Sequence, residues 1–314
     1  MPVVILMLIF SGALLVWSTN LLIHQTQELA YRLKLSKLFV ALVVMALGTS
    51  LPELTVSSVA LVKNDPGLAV GQLIGSNITN ITLILGIAIL INGFRIGTTK
   101  TQKNAWLLLF VTGLFLLLYW LPISVTTIGA LLIGVAIGSI IWEYILAVRG
   151  REHEDHKFVI KFPQHHIPTW QLLSKTGLAL MALIISGTIL VITVEYLSDT
   201  LGISTTVLGL TLAALATSLP ELVSTIIAQR EHEEKIAMGN ILGSNIYNLV
   251  FIGGLMTFNL PYNVKLGIEA GILALTTMIF FFIIKYWKGS SVPKTVGITL
   301  LFTYIIYLFV TLVL

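Results

Sequence analysis

The sequence predicts an all-α polytopic membrane protein with ten transmembrane helices in two inverted five-helix repeats. Three observations carry that prediction. Of 314 residues, 56% are hydrophobic and only 10% charged, where soluble domains hold about 25% charged residues. The mean hydropathy is +0.97. Apolar runs of about 18 residues or more recur along the chain, the length a helix needs to cross the hydrocarbon core. Only helices and closed barrels satisfy their own backbone there, and runs this long call for helices. The third observation is that the chain repeats two short motifs at a constant offset of 168 residues.

Taken in order, the expected spans are 3–22, 38–62, 67–92, 105–122, 125–147, 175–198, 205–228, 236–260, 264–285 and 295–313. The first apolar run begins at Pro2 and is long enough to be a span rather than a cleavable signal peptide. Connections are short except at 148–174, a charged stretch with Pro163 and Pro168. It divides the chain into a first repeat, 1–147, a cytoplasmic loop, 148–174, and a second repeat, 175–314.

Basic residues set the orientation. With the N-terminus outside, sixteen of the 18 Lys and Arg fall in inner connections, and only Lys63 and Lys265 fall outside. The expected arrangement is N-out and C-out. A net charge of +4 spread over such loops is no nucleic-acid signal. The chain has no cysteine, which excludes disulfides, thiolate metal sites and cysteine nucleophiles. No cofactor is expected, the partners are ions and lipid, and a monomer is compatible with every feature.

The first motif is Ala46–Leu54, ALGTSLPEL, rewritten at Ala214–Leu222 as ALATSLPEL with eight of nine positions identical. Each copy carries a carboxylate, Glu53 or Glu221, at membrane depth, where a charged side chain costs roughly 2.5–3.5 kcal/mol and is functional by default. Thr49 and Glu53 are four apart and share a helix face, with Ser50 beside them. Pro52 lacks an N–H and clashes with the carbonyl of Gly48, so carbonyls near Gly48 and Thr49 lose helical partners. Pro220 does the same to Ala216 and Thr217. Bare carbonyls at that depth are tolerated only in a protein interior or a watery cavity, and a cation that prefers oxygen ligands suits them.

The second motif, 71–80, GQLIGSNITN, maps onto 239–248, GNILGSNIYN, with six of ten positions identical. Ser76 and Asn80, and Ser244 and Asn248, are spaced by four and offer neutral oxygens from one helix face. Five spans separate the copies, an odd number, so the second copy crosses in the opposite sense. Such inverted repeats mark secondary transporters whose sites lie near the midplane on interrupted helices.

Assembled, the two carboxylates, the freed carbonyls and the Ser and Asn side chains form an oxygen shell. Calcium takes 6–8 oxygens in a flexible arrangement, whereas magnesium sheds its water reluctantly. The motif spans offer neither His nor Cys, which argues against zinc and copper. Two carboxylates balance one divalent ion, and the same oxygens can hold sodium. A site that takes either ion but not both makes an exchanger when the empty site cannot easily reorient.

GTSLPEL with GSNITN, and ATSLPEL with GSNIYN, resemble the two alpha repeats of the cation/calcium exchanger superfamily, specifically its prokaryotic sodium/calcium antiporter branch. The resemblance covers essentially the whole chain. It implies spans 2, 3, 7 and 8 around a central site, with Glu53 and Glu221 as principal calcium ligands completed by the Thr49 and Thr217 carbonyls. It implies flanking sodium sites from Ser50, Ser76, Ser218, Ser244 and Asn80, and spans 1 and 6 sliding against the core. One position departs: several members carry aspartate where this chain has Asn248. That missing charge leaves the stoichiometry and any proton role open, and weakens a case for potassium co-transport.

The expected activity is calcium/sodium antiport, with calcium/proton antiport as the alternative. A passive cation channel fits inverted repeats poorly, and an intramembrane enzyme would need a substrate-handling motif that is absent. Glu143, Glu195 and Glu269 are expected to snorkel or pair with polar neighbours. His153, His156, His165 and His166 belong to the solvated loop. Trp106, Trp120, Trp142, Trp170 and Trp287 suit an interfacial belt. Glu231, Glu233 and Glu234 read as a solvated turn.

Overall fold

The computed structural model describes residues 2–32, 35–62, 66–97, 99–149, 168–201, 214–258 and 267–313. These residues are almost wholly helical. Among them, nine helices are long and apolar enough to cross a membrane. A further helical run, Ala214–Thr217 and then Leu219–Arg230, lies where the seventh span was expected. The first part of that span lies outside the described residues.

Burial sorts the spans into a centre and a periphery. The most apolar stretch of span 8 is 94% buried, and those of spans 3 and 2 are 78% and 61% buried. The corresponding stretches of spans 1, 4, 5, 6, 9 and 10 are 22–39% buried, the condition of helices whose outer faces meet lipid. Spans 1 and 6 pack chiefly against each other. Spans 2 and 8, 2 and 3, 7 and 8, 4 and 9, 5 and 8, and 3 and 10 are also packed pairs. Small residues bring spans 2 and 8 close: a Cβ on Gly243 would lie 2.3 Å from the Leu42 carbonyl oxygen, and one on Gly239 2.9 Å from that of Leu38.

Among the described residues, three spans contain a π turn, at Ala41–Met45, Asn80–Ile84 and Asn248–Ile252. The last two begin 168 residues apart. In both, an asparagine three residues earlier turns back on its own helix: Asn77 donates to the Leu73 carbonyl at 2.8 Å and Asn245 to that of Ile241 at 2.7 Å. A side-chain donor competing for the carbonyl one turn back loosens the helical ladder at that point.

Several helix boundaries differ from the expected spans, and the fourth helix starts at Thr99 rather than 105. The first helix runs Pro2–Arg32, ten residues past the expected end, and the sixth runs Thr169–Leu201. At 1.5 Å per residue, 31 residues reach about 46 Å, well beyond a core about 30 Å thick. Apolarity marks the membrane, not the helix, which continues into water until something stops it. Pro168 sits just ahead of Thr169, where its missing N–H is no loss, and its carbonyl accepts from Gln171 and Leu172. The inter-repeat segment therefore turns helical before 174, while 150–167, with its four histidines, lies outside the described residues. The ninth helix starts at Ile268 rather than 264, so Glu269 belongs to its first turn, where the helix dipole favours a carboxylate.

The turn after span 7 is also more engaged than expected. Lys37 forms an ion pair with Glu233, and His24 lies 3.7 Å from Glu231, so the turn is tied to the start of span 2 and to span 1. On the same side by the charge count, the connections after spans 3 and 9 join through an antiparallel bridge between Arg95 and Ser291. Gly93 and Gly289 enter it at φ +70° and +74°, a region that favours glycine.

Candidate cation site

Spans 2 and 7 each break at one serine. Ser50 has φ −86°, ψ 5° and Ser218 has φ −83°, ψ 5°, so two residues 168 positions apart adopt the same conformation. A new helix starts at the next residue in each case, Leu51–Val62 or Leu219–Arg230, with proline second. Proline is tolerated in a first turn because those N–H groups have no intrahelical partner. Glu53 and Glu221 fall in the first turns of these new helices, where the positive end of the dipole faces a carboxylate. The proline thus produces a full restart rather than a kink, and the restart sets the acid at a helix N-terminus.

The two breaks serve each other. Ser50 Oγ donates to Glu221 Oε1 at 3.1 Å, and Ser218 Oγ donates to Glu53 Oε1 at 3.3 Å. A residue of one half that bonds a residue of the other, with the relation returned, is the signature of a twofold arrangement. Ser244 Oγ also donates to Glu221 Oε1, at 3.4 Å. Both carboxylates are 0% exposed. Two anionic groups this deep and this close repel one another, and a cation or a proton between them relieves that cost.

All ten expected site residues lie in the interior, none more than 2% exposed: Thr49, Ser50, Glu53, Ser76, Asn80, Thr217, Ser218, Glu221, Ser244 and Asn248. Thr49 Oγ1 is 3.5 Å from Ser244 Oγ. Asn248 Nδ2 donates to Ser76 Oγ at 3.3 Å, joining span 8 to span 3. Ser76 donates in turn to its own Leu73 carbonyl at 3.0 Å. Glu221 therefore receives two hydroxyl donors and Glu53 one. Glu53 Oε2, Glu221 Oε2, Asn80 Oδ1 and Asn248 Oδ1 accept no hydrogen bond among the described residues. Buried oxygens with no donor to satisfy them suit a cation, although Asn80 Nδ2 is unpartnered among the described residues as well. The donor set brought together here is two carboxylates and neutral oxygens, which suits a hard cation. A small cavity lined by Leu47, Ser50, Leu51, Leu54, Tyr247, Phe251 and Ile252 adjoins this cluster.

Two polar residues that the site reading passed over are part of the arrangement. Gln72 Nε2 donates to Thr217 Oγ1 at 2.6 Å, and Thr49 Oγ1 donates to Asn240 Oδ1 at 3.2 Å. Gln72 and Asn240 are again 168 apart. That both copies place an amide there was visible in the repeat, but a lone amide inside a helix reads as packing glue. Asn77 and Asn245, within the second motif, bond their own helices instead. Of the acids set aside, Glu143 is buried at 6% exposure rather than snorkelling. The side chain of Glu195 lies outside the described set.

These helices and their broken pairs define a multi-pass membrane transport protein. The solved sodium-calcium exchanger NCX_Mj has the same fold, with a TM-score of 0.82, 24% identity and 98% of each chain covered. The chain is 30% identical over 309 residues to the inner membrane protein YrbG of Escherichia coli strain K12, covering 96% of this chain and 94% of that one. It is 29% identical over 303 residues to the putative antiporter CaxA of Alkalimonas amylolytica, covering 94% of each. The sequence profile of the sodium/calcium exchanger protein family matches residues 3–148 and 175–313, and the chain belongs to that family. It is a cation/calcium exchanger of the prokaryotic branch, not an enzyme.

Proposed function

We propose that the protein is a secondary antiporter that exchanges calcium for sodium by alternating access, both ions using one oxygen site at the midplane. The observation that carries this is the reciprocal pair, Ser50 to Glu221 and Ser218 to Glu53, enclosed at 0–2% exposure. Two carboxylates neutralise one divalent ion. In this reading Glu53 and Glu221 bind calcium with the Thr49 and Thr217 carbonyls. Ser50, Ser218, Ser76, Ser244, Asn80 and Asn248 supply the neutral oxygens that sodium uses. Sodium ions held there draw on the same two carboxylates, so calcium loses its charge partners, and an empty site keeps two bare carboxylates in a dry interior. That penalty keeps the empty form from reorienting, which couples the two fluxes.

The two halves, 1–147 and 175–314, are read as inverted repeats, so that closing one entrance opens the other. The protein would lie in a prokaryotic cell membrane with both termini outside and 148–174 in the cytoplasm. The cysteine-free chain makes that orientation testable. Asp155→Cys should react with an impermeant maleimide only from the inside and Asn64→Cys only from the outside; the opposite pattern rejects the orientation.

The function itself is tested by Glu53→Gln and Glu221→Gln in proteoliposomes. Each keeps the side-chain shape and removes one charge, and each should abolish sodium-dependent calcium-45 uptake. Wild-type uptake in either variant rejects the site assignment.

A further inference from the structure

The two amides next to the site form a cross-brace that differs between the halves. Gln72, on span 3, holds Thr217 at the break of span 7. Asn240, on span 8, holds Thr49 at the break of span 2. Each threonine hydroxyl also lies within bonding distance of the carbonyl three residues back, Ala214 at 3.1 Å and Ala46 at 3.2 Å. Each broken turn is therefore pinned by an amide from another span, and Gln72, Asn240, Thr49 and Thr217 are all fully buried.

Beyond this point the halves diverge. Asn240 Nδ2 donates to Ser224 Oγ at 2.8 Å, and Ser224 Oγ donates to the Glu221 backbone carbonyl at 3.0 Å. One chain of bonds thus runs from Thr49 through Asn240 and Ser224 to the backbone of Glu221. In the other half, Val56 stands 168 residues before Ser224 and offers no hydroxyl. Gln72 Oε1 is buried without a hydrogen-bond partner among the described residues. The Glu221 turn is tethered on two sides and the Glu53 turn on one.

We infer that Gln72 and Asn240 are positioning residues of the exchange site, and that the Asn240–Ser224 chain preorganises the Glu221 turn for calcium. This rests on the site reading above. Neither amide needs to touch the ion. Each holds the backbone of a ligand-bearing turn, so that binding does not have to order it, and ordering costs appear in affinity rather than in the rate of an occupied carrier. The carboxylate itself is untouched by these changes, so the transport step keeps its driving interaction.

The test compares calcium KM and maximal sodium-dependent exchange rate in proteoliposomes for Gln72→Met, Asn240→Leu, Ser224→Ala and the Asn240→Leu/Ser224→Ala double variant. Asn240→Leu and Gln72→Met should each raise calcium KM about tenfold, with the maximal rate within about twofold of wild type. Ser224→Ala should raise KM about threefold alone and add nothing to Asn240→Leu, because the two act as one chain. Ser224→Ala and Gln72→Met decide the matter if Asn240→Leu does not reach the membrane. Unchanged KM in those variants, or a fall in maximal rate at constant KM, overturns the inference. Glu53→Gln and Glu221→Gln, measured alongside, separate the two levels. If they abolish exchange while the amide variants keep wild-type KM, only this inference falls; if they retain exchange, the site reading falls and takes the inference with it.

Discussion

Ser50 and Ser218 lie at the start of new helices, where serine ordinarily caps its own N-terminus. Instead each gives its hydroxyl to the carboxylate of the other half. That choice makes sense only if the carboxylates matter more than the caps. A Glu-to-Gln change at either position leaves one negative charge to meet a divalent ion. Breaking a buried charge pairing costs about 3–5 kcal/mol, so calcium affinity should fall roughly 10²–10⁴-fold, read as equilibrium calcium-45 binding. At this scale much was legible. The pairs Thr49/Thr217, Ser50/Ser218, Glu53/Glu221 and Ser76/Ser244 announce themselves by recurrence at 168, and all of them are enclosed. Gln72 and Asn240 were not legible as site residues. Their role depends on which span faces which, a tertiary fact with no local signal. The same holds for Asn248: sequence shows a missing charge, but only the fold shows its amide donating to Ser76, whose own hydroxyl goes to the Leu73 carbonyl, so that Glu53 has a single hydroxyl donor.

Among the elements, the closest approach is that of span 8 to span 2. A Cβ at Gly243 would meet the Leu42 carbonyl oxygen at 2.3 Å and the Ala46 Cβ at 2.5 Å. Neither neighbour is the mobile end of a flexible side chain, so the helices must separate. Gly243→Ala should cost about 2 kcal/mol and lower the thermal midpoint in detergent. Gly138→Ala, where nothing lies within 4 Å, should leave it unchanged or raise it, since alanine favours helix over glycine. Equal midpoints for the two variants would show that the contact is not tight. Proline at 52 and 220 made the breaks legible. The π turns at Asn80 and Asn248 were hidden, because an asparagine three residues upstream can bond its own helix or a neighbour, and sequence does not say which. Helix ends were missed at spans 1 and 6 for a simple reason: hydropathy ends at the membrane surface, while backbone hydrogen bonding does not.

For the whole molecule, the central fact is that two breaks, two acids, two amides and two π turns recur at one offset and meet in one buried cluster. Composition alone indicated membrane helices, and the repeat alone indicated a pseudo-symmetric pair of halves. The pairing of serine with the opposite carboxylate could not be read without the fold, because it requires the breaks to face each other. The central claim, that sodium and calcium occupy this cluster in turn, has a direct measurement. Proteoliposomes holding the wild-type chain are given calcium-45 outside and an outward gradient of sodium, potassium or protons, one at a time. The outward sodium gradient should drive calcium uptake that a protonophore leaves intact, while potassium and proton gradients should drive none. Uptake that follows the proton gradient and ignores sodium would contradict the account.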